Sequence, residues 1–158
     1  MDFRYLKEED AEEASAFVHD MWVDTYAPIV RGGRQRAESI FDIWIGPEKI
    51  RSDMARGHFF VYLEVDGRTI GLISAGKEGD DLEISKIYIL PEYRHRGYGK
   101  EALDFLLERG RELKCVKAYL EVNPDNDNAI RFYTDSGFKP IGRNEYDYSY
   151  TTVMAVEL

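Results

Sequence analysis

A β-hairpin signal in the middle of the chain constrains the fold more than any other feature. The runs "HFFVYLEV" (58–65) and "RTIGLISAG" (68–76) are rich in β-branched and aromatic residues, and Asp66-Gly67 joins them. An Asp-Gly pair between two such runs is the strongest short-range signal for a hairpin. After the turn "GDD", the run "LEISKIYIL" (82–90) reads as a further strand. The sequence therefore predicts three consecutive strands here.

Segments of helical and extended period surround these strands. The other predicted elements are a strand at 3–7, a helix within 8–22, one or two helices between 37 and 56, a helix after Gly99, a strand at 116–122, a short helix ended by Gly137, and two final strands. This order predicts an α/β (α+β) fold with mixed strand directions, formed by a single domain over 1–158.

Charge and composition narrow the class of partner. The formal charge is −9, so the chain lacks the basic face that nucleic-acid phosphates require, whereas an acidic surface attracts cationic small molecules. No run approaches the ~20 apolar residues of a membrane span, and Cys115 has no second cysteine to pair with. We therefore expect a cytoplasmic protein that binds neither nucleic acid nor membrane. Because His19, His58 and His95 lack ligand spacing, no metal site is expected.

The segment "YRHRGYGK" (93–100) has the composition of an anion-binding turn. Three basic residues precede two glycines, and a helical pattern begins directly behind them. The N-terminus of a helix leaves backbone N–H groups unpaired, and glycine lets a ligand approach the backbone closely. Arginine adds bidentate contacts to phosphate oxygens. The turn is therefore a candidate site for a pyrophosphate.

Three nucleotide-binding patterns compete for this turn. A Walker A loop requires Ser or Thr after "GK", but glutamate follows. "GYGKEA" fits the dinucleotide fingerprint Gly-x-Gly-x-x-Ala, with Glu121 near the end of the next strand. Against it, six residues separate the preceding strand from the first glycine, and 158 residues leave little room for two βαβαβ halves. The third pattern is Arg-x-x-Gly-x-Gly, met by Arg94, Gly97 and Gly99.

A second motif lies at the expected distance behind the first. The segment "AYLEVNPDNDNAIRFYTDSGFKPIG" contains Asn-x-x-Ala at 126–129, followed by Phe-Tyr and Gly-Phe. With Arg-x-x-Gly-x-Gly, this resembles the Gcn5-related N-acetyltransferase (GNAT) superfamily over roughly residues 58–142. The resemblance implies a three-layer α/β/α fold whose mixed, mostly antiparallel sheet splays between two strands. It also implies acetyl-coenzyme A as the acetyl donor.

The resemblance implies two catalytic residues. It places the Tyr133 hydroxyl at the thioester, where a phenol can protonate the departing sulfur; a core aromatic is the alternative. It places Glu83 where many relatives carry a glutamate that takes a proton from the acceptor amine, directly or through water; a solvated glutamate is the alternative. By strand alternation Glu83, Ser85, Ile87 and Ile89 share one face unless a bulge intervenes.

The resemblance also implies which residues bind the donor. The backbone at 87–89 pairs with the pantetheine arm, although Ile87 and Ile89 are expected to be core residues by their side chains. The basic turn binds the pyrophosphate, and Asn126 lies near the cofactor arm, with a helix N-cap as its alternative role. The predicted cofactor-binding residues are Ile87, Tyr88, Ile89, Arg94, His95, Arg96, Gly97, Tyr98, Gly99, Lys100, Asn126, Asn128 and Tyr133.

The acceptor side rests on a shorter pattern. "MWVDTYAP" (21–28) is similar to the first-helix region of bacterial and archaeal spermidine/spermine acetyltransferases. This resemblance implies Trp22, Tyr26 and Glu83 as substrate-binding residues; for Trp22 a buried amphipathic helix is the alternative. The pattern and the acidic charge favour a polyamine or another small cationic amine. A protein N-terminus or lysine as acceptor, and a non-catalytic acyl-coenzyme A sensor, stay open as alternatives.

Three tyrosines near the C-terminal end carry the remaining expectation. Tyr146, Tyr148 and Tyr150 alternate onto one face of the last strand region. This spacing is typical of cross-strand packing or of an edge that pairs in a homodimer, with pocket lining as the third alternative.

Overall fold

The computed structural model describes residues 1–147 and 149–158. The strands are β1 (Asp2–Tyr5), β2 (Phe59–Val65), β3 (Arg68–Glu78), β4 (Asp81–Ile89), β5 (Lys117–Val122), β6 (Lys139–Glu145) and β7 (Tyr150–Glu157). The α-helices are α1 (Ala11–Tyr26), α2 (Gly33–Ile45), α3 (Pro47–Ala55), α4 (Tyr98–Glu112) and α5 (Asp127–Asp135). The predicted order of elements is confirmed.

The strands form one mixed, mostly antiparallel sheet, as predicted. Their order is β1-β2-β3-β4-β5-β7-β6. β1 and β2, β5 and β7, and β6 and β7 pair in antiparallel fashion, whereas β4 and β5 pair in parallel. The splay between two strands and the homodimer are not tested by this topology and stay predictions.

The hairpin between β2 and β3 closes through the predicted dipeptide. Asp66 has φ 51° and Gly67 has φ 76°, so both turn residues are left-handed. A type I′ turn requires this conformation at both central positions, and its twist matches that of the flanking strands. The Asp-Gly signal therefore fixed both the position and the length of the turn.

The chain divides into two compact units, each made of two separate segments. The first consists of Met1–Ser74 and Lys86–Gly99, and the second of Ala75–Ser85 and Lys100–Leu158. Because the segments interleave along the chain, neither unit is a single continuous stretch of sequence. A single domain over 1–158 stays a prediction.

The core of the first unit is formed by apolar faces of its three helices and by β2. Val18, Ile50 and Phe60 are at most 1% exposed, and Phe41 of α2 belongs to the same cluster. Burial of each such side chain contributes about 1.5–3 kcal/mol to stability before the entropy of ordering is counted. The apolar residues that recur at helical spacing in the sequence are thus the ones that the helices bury.

A buried ion cluster connects β4 to α3 within the first unit. The Asp53 side chain is 3% exposed; Lys49 donates to it at 2.8 Å, Arg56 at 3.2 Å, and the Lys86 ammonium lies 4.0 Å away. Burial acts to raise the pKa of Asp53, but the three cations outweigh it and lower the pKa below its usual value. Lys86 also lies over the Phe60 ring. These contacts fix β4 at Lys86, directly before residues 87–89 of the same strand.

The second unit packs α4 over its strands with a close approach at one glycine. Ala102, Leu103 and Leu106 are buried on one face of the helix. A methyl group on Gly110 would lie 2.8 Å from a Leu158 methyl group and 3.1 Å from one of Leu82. By contrast, α5 contains no fully buried residue, and every residue of β6 is exposed.

Two predictions about side-chain placement are wrong. Ile87 is only half-buried and is not a core residue, because burial in β4 falls on Leu82 and Ile84 and then changes parity to Ile89. A bulge would produce such a change. Tyr146 precedes β7 and lies outside any strand, so it does not share a strand face with Tyr150. Tyr148 lies outside the described residues.

Among the described residues, neither a membrane-spanning helix nor a cluster of metal-ligating side chains is present. No helix among these residues is both long and apolar enough to cross a membrane. Residues 1–147 and 149–158 also contain no group of three or more His, Cys, Asp or Glu arranged to hold a metal ion.

A histidine links α1 to α2. Nε2 of His19 lies 2.7 Å from the Glu38 carboxylate, and Nδ1 lies 2.9 Å from that of Asp20. Its hydrogen bonds to Asp20 and then to Glu38 raise the pKa of His19 above its usual value. The stabilisation is therefore complete below the unfolded-state pKa of about 6.5 and is lost as pH rises through the higher folded-state pKa.

We expect His19→Asn to destabilise the protein more at pH 5.5 than at pH 9. The difference should stay below about 1 kcal/mol, because both partners are partly exposed. Urea unfolding of both proteins at the two pH values measures it. Glu38→Gln serves as a control that should shrink the pH dependence. An equal loss at both pH values would contradict the proposed ion pair.

Candidate functional site

Glu83 lies at the point where the two parallel strands meet. In the register of β4 and β5, Glu83 is the partner of Tyr119, one residue after the pair Leu82 and Ala118. The Tyr119 hydroxyl donates a hydrogen bond to Oε2 of Glu83 at 3.0 Å. Both side chains are partly buried. The predicted catalytic carboxylate therefore has a fixed hydrogen-bond donor in the second unit.

The end of β4 runs close to β3 within the first unit. A methyl group on Gly71 would lie 2.5 Å from the carbonyl oxygen of Tyr88 and 2.9 Å from a methyl group of Leu63. Only glycine leaves room for this approach. Gly71 therefore determines the position of the backbone at 87–89, where the sequence predicts contacts to the pantetheine arm. No local signal in the sequence marks Gly71, because its neighbours Tyr88 and Leu63 are distant along the chain.

The basic turn is attached to the end of β4 by one of its own arginines. Nε of Arg94 donates to the carbonyl oxygen of Ile89 at 2.9 Å. This oxygen is one of the backbone groups predicted to meet the pantetheine arm, and it already accepts a hydrogen bond. Arg94 thus has a structural contact in addition to its predicted phosphate contact.

The turn itself alternates in backbone conformation before α4 begins. His95 has φ 61° and Gly97 has φ 87°, and α4 starts at Tyr98. Space around Gly97 is open, since a methyl group there would meet no atom within 4 Å. Alternation of this kind can direct successive N–H groups toward an anion. Arg94, His95, Arg96 and Gly97 are exposed.

Tyr93 lies between two arginines at the start of the turn. The Arg68 guanidinium lies 5.4 Å and that of Arg96 5.6 Å from the centre of its ring. Arg68 also donates to Glu92 at 3.1 Å. These cation–π contacts orient Arg96, one of the predicted phosphate ligands. The "PEYR" sequence offered no signal for this stack, because Arg68 is distant in sequence.

Lys100 has a partner on its own helix. Its ammonium lies 3.3 Å from each carboxylate oxygen of Asp104, one turn along α4. This i,i+4 pair is exposed, so it is weak and does not conflict with a phosphate contact. The predicted role of Lys100 is untested.

Three predicted residues lie on or beside α5 in the second unit. Asn126 caps the helix, because Oδ1 accepts from the backbone N–H of Ala129 at 3.3 Å. Asn128 is exposed in the first turn. Tyr133 is half-buried, with its ring centre 5.6 Å from that of the buried Phe138. Tyr133 therefore packs against the buried Phe138 and stays partly exposed.

The predicted acceptor residues form an aromatic group in the first unit. The rings of Trp22 and Tyr26, one turn apart on α1, are 4.7 Å apart. Trp22 is 5% exposed, as its alternative interpretation required, whereas Tyr26 is partly exposed. Burial raises the pKa of Tyr26, and a hydrogen bond with the Tyr88 side chain partly opposes this rise. The hydroxyl of Tyr26 therefore stays neutral and forms a hydrogen bond with Tyr88 of β4.

A second tyrosine–glutamate pair lies two residues further along β5. The Tyr146 hydroxyl donates to Oε1 of Glu121 at 2.6 Å, and the Thr151 hydroxyl at 2.5 Å. Burial acts to raise the pKa of Glu121, but these donors and Asn144 lower it. Glu121 was named only for the dinucleotide fingerprint. Its contacts are instead with Asn144 of β6, Thr151 of β7 and Tyr146 between these strands.

Comparison with known proteins decides the family. The profile of the acetyltransferase (GNAT) family matches residues 16–138. The chain belongs to this family. An uncharacterized N-acetyltransferase encoded in the pepI 3' region of Lactobacillus delbrueckii subsp. lactis is 30% identical over 141 residues, covering 84% of this chain and 80% of that protein. This match decides against both the Walker A loop and the dinucleotide fingerprint as interpretations of the turn.

Two further similarities extend along almost the whole chain. The spermidine N(1)-acetyltransferase of Thermoplasma acidophilum is 27% identical over 151 residues, which is 88% of each chain. The crystal structure of PaiA N-acetyltransferase from the same organism, in complex with coenzyme A, superposes with a TM-score of 0.83 and 25% identity, covering 99% of this chain and 98% of that one. The predicted family, fold and enzyme class are confirmed, and acetyl-coenzyme A is the matching donor.

We expect Gly71→Ala to destabilise the protein by about 1–3 kcal/mol, since the methyl group would meet a backbone oxygen that cannot move alone. Thermal and urea unfolding measure this loss. Gly67→Ala is the matched control: it has a left-handed φ but open space, so strain alone should amount to about 1 kcal/mol. A Gly71→Ala protein as stable as the wild type would show that β3 and β4 are not in such close contact.

Proposed function

We propose that this chain transfers the acetyl group of acetyl-coenzyme A to a primary amine of a small cationic acceptor, such as a polyamine, by direct attack in a ternary complex. The observation that carries the acceptor class is the similarity, along 88% of both chains, to an enzyme named for spermidine. The charge of −9 supports it, because an acidic surface raises the local concentration of a polycation.

The turn from Arg94 to Lys100 fits the pyrophosphate of the donor. It combines exposed basic side chains, a left-handed Gly97 with open space around it, and the N-terminus of α4. Backbone N–H groups at a helix N-terminus and arginine side chains are both suited to phosphate oxygens. In this proposal Arg96 is held by Tyr93, and the backbone at 87–89 takes the pantetheine arm. Asn126 and Asn128 are further predicted donor-binding residues.

Glu83 has the chemistry that the acceptor requires. A primary amine has a pKa of about 10.4 and arrives as an ammonium ion, which has no lone pair for attack. The Glu83 carboxylate attracts this cation and accepts its proton, directly or through water. The freed nitrogen then forms the new bond to the thioester carbonyl carbon as the bond to sulfur breaks.

Two further groups act on the charges that this attack creates. A backbone N–H near Ile87 donates to the carbonyl oxygen as it becomes negative. The Tyr133 hydroxyl gives its proton to the departing sulfur, and coenzyme A leaves as a thiol. The nitrogen loses its second proton as the amide forms, and this proton, passed on directly or through water, restores the Tyr133 hydroxyl. On the acceptor side, the partly exposed Tyr26 supplies an aromatic surface of the kind that attracts alkylammonium groups, and the buried Trp22 packs against its ring.

We expect the protein to release free thiol from acetyl-coenzyme A in the presence of spermidine or spermine, above the rate without acceptor. The test panel adds lysine and short peptides with free N-termini, each at equal concentration. KM for spermidine should rise with ionic strength, because salt screens attraction to an acidic surface. Release with peptides alone would keep the chemistry and refute the polyamine assignment. Binding of acetyl-coenzyme A by calorimetry without release would favour the sensor.

We expect Tyr133→Phe to lower kcat by roughly 10²-fold or more, the usual scale for loss of a general acid. Calorimetry should give an unchanged affinity for acetyl-coenzyme A, because only one hydroxyl is removed. Tyr150→Phe makes the same change at an exposed residue of β7 and should leave kcat unchanged. Wild-type turnover in Tyr133→Phe would remove this residue from the mechanism.

A further inference from the structure

We propose that Tyr119 is a positioning residue that orients the Glu83 carboxylate toward the incoming ammonium. The proposal rests on the function assigned above to Glu83. No motif in the sequence singles out Tyr119, which lies 36 positions from Glu83 and on a different strand.

The register between β4 and β5 fixes the pair. Glu83 and Tyr119 are direct partners in the parallel ladder. Side chains of directly paired residues project from the same face of a sheet, and neighbouring strands lie about 4.8 Å apart. The hydroxyl of Tyr119 therefore reaches Oε2 of Glu83 at 3.0 Å without any rearrangement of the backbone. Two strands of the sheet, rather than a loop, thus determine the direction of the carboxylate.

The direction of the hydrogen bond does not change over the pH range in which an enzyme works. Burial, and after it the negative charge and the hydrogen bond of Glu83, raise the pKa of Tyr119 above that of a free phenol. The hydroxyl therefore stays protonated at neutral and moderately alkaline pH. Tyr119 remains a donor to the carboxylate throughout and cannot exchange roles with it.

A fixed donor restricts the orientation of the carboxylate. The hydrogen bond from the Tyr119 hydroxyl to Oε2 of Glu83 has a charged acceptor, and such bonds are stronger than those between neutral groups. Tyr119 therefore limits the rotation of the Glu83 side chain.

The test is Tyr119→Phe, assayed with spermidine and acetyl-coenzyme A varied in turn. A hydrogen bond to a charged group contributes about 1.5–3 kcal/mol, so kcat/KM for spermidine should fall roughly 10-fold or more. KM for acetyl-coenzyme A should stay unchanged. A purely structural role would lower kcat/KM for both substrates alike.

The matched control is Tyr146→Phe, which removes the hydroxyl that donates to Glu121, two residues further along β5. It should leave kcat/KM for spermidine unchanged. Melting temperature and calorimetric binding of acetyl-coenzyme A verify that each variant is folded. If Tyr119→Phe leaves kcat/KM for spermidine unchanged, or if Tyr146→Phe lowers it equally, Tyr119 does not position Glu83.

Glu83→Gln separates this proposal from the function on which it rests. If Glu83→Gln lowers turnover and Tyr119→Phe has no further effect in that background, Tyr119 acts through Glu83. If Tyr119→Phe lowers turnover by the same factor in both backgrounds, Tyr119 acts elsewhere and this proposal is wrong, while the role of Glu83 stands. If Glu83→Gln turns over spermidine like the wild type, Glu83 is not the base, and both assignments are refuted.

Discussion

The parallel pairing of β4 with β5 is the constraint on which the candidate site depends. The two strands are separated along the chain by the whole of α4. The register of their pairing aligns Glu83 with Tyr119. A shift by one residue would move every side chain of one strand to the opposite face. The buried partners Leu82 and Ala118, next to this pair, prevent such a shift because they would become exposed. The hydrophobic core thus fixes the geometry of a polar pair.

Two further contacts determine the position of β4, one through its backbone and one through a side chain. Gly71 allows close approach at Tyr88, and the ion cluster around Asp53 holds Lys86. Removing one partner of a buried ion pair is strongly unfavourable, so the strand cannot readily separate from α3. Residues 86–88 are therefore constrained through both backbone and side chain. A strand whose N–H groups are expected to bind a thioester gains from such preorganisation.

Local signals made much of this architecture predictable, whereas contacts between distant segments did not show in the sequence. The Asp66-Gly67 turn, the helical spacing of α1 and the glycine turn before α4 each depend on adjacent residues, and their elements were located correctly. The partnership of Glu83 with Tyr119 depends on strand register, which composition does not encode. The half-burial of Ile87 was missed because strict alternation fails in β4.

The exposed strand β6 has a consequence for how copies of this protein meet one another in a crowded solution. It is an outer strand of the sheet, and all seven of its residues are exposed. An open edge of this kind offers backbone groups to any other strand. Here Pro140 provides no N–H, the register shifts between Pro140 and Gly142, and Lys139 and Arg143 add charge. Proline, bulges and charged side chains are the devices by which edge strands resist pairing with another molecule, and β6 carries all three.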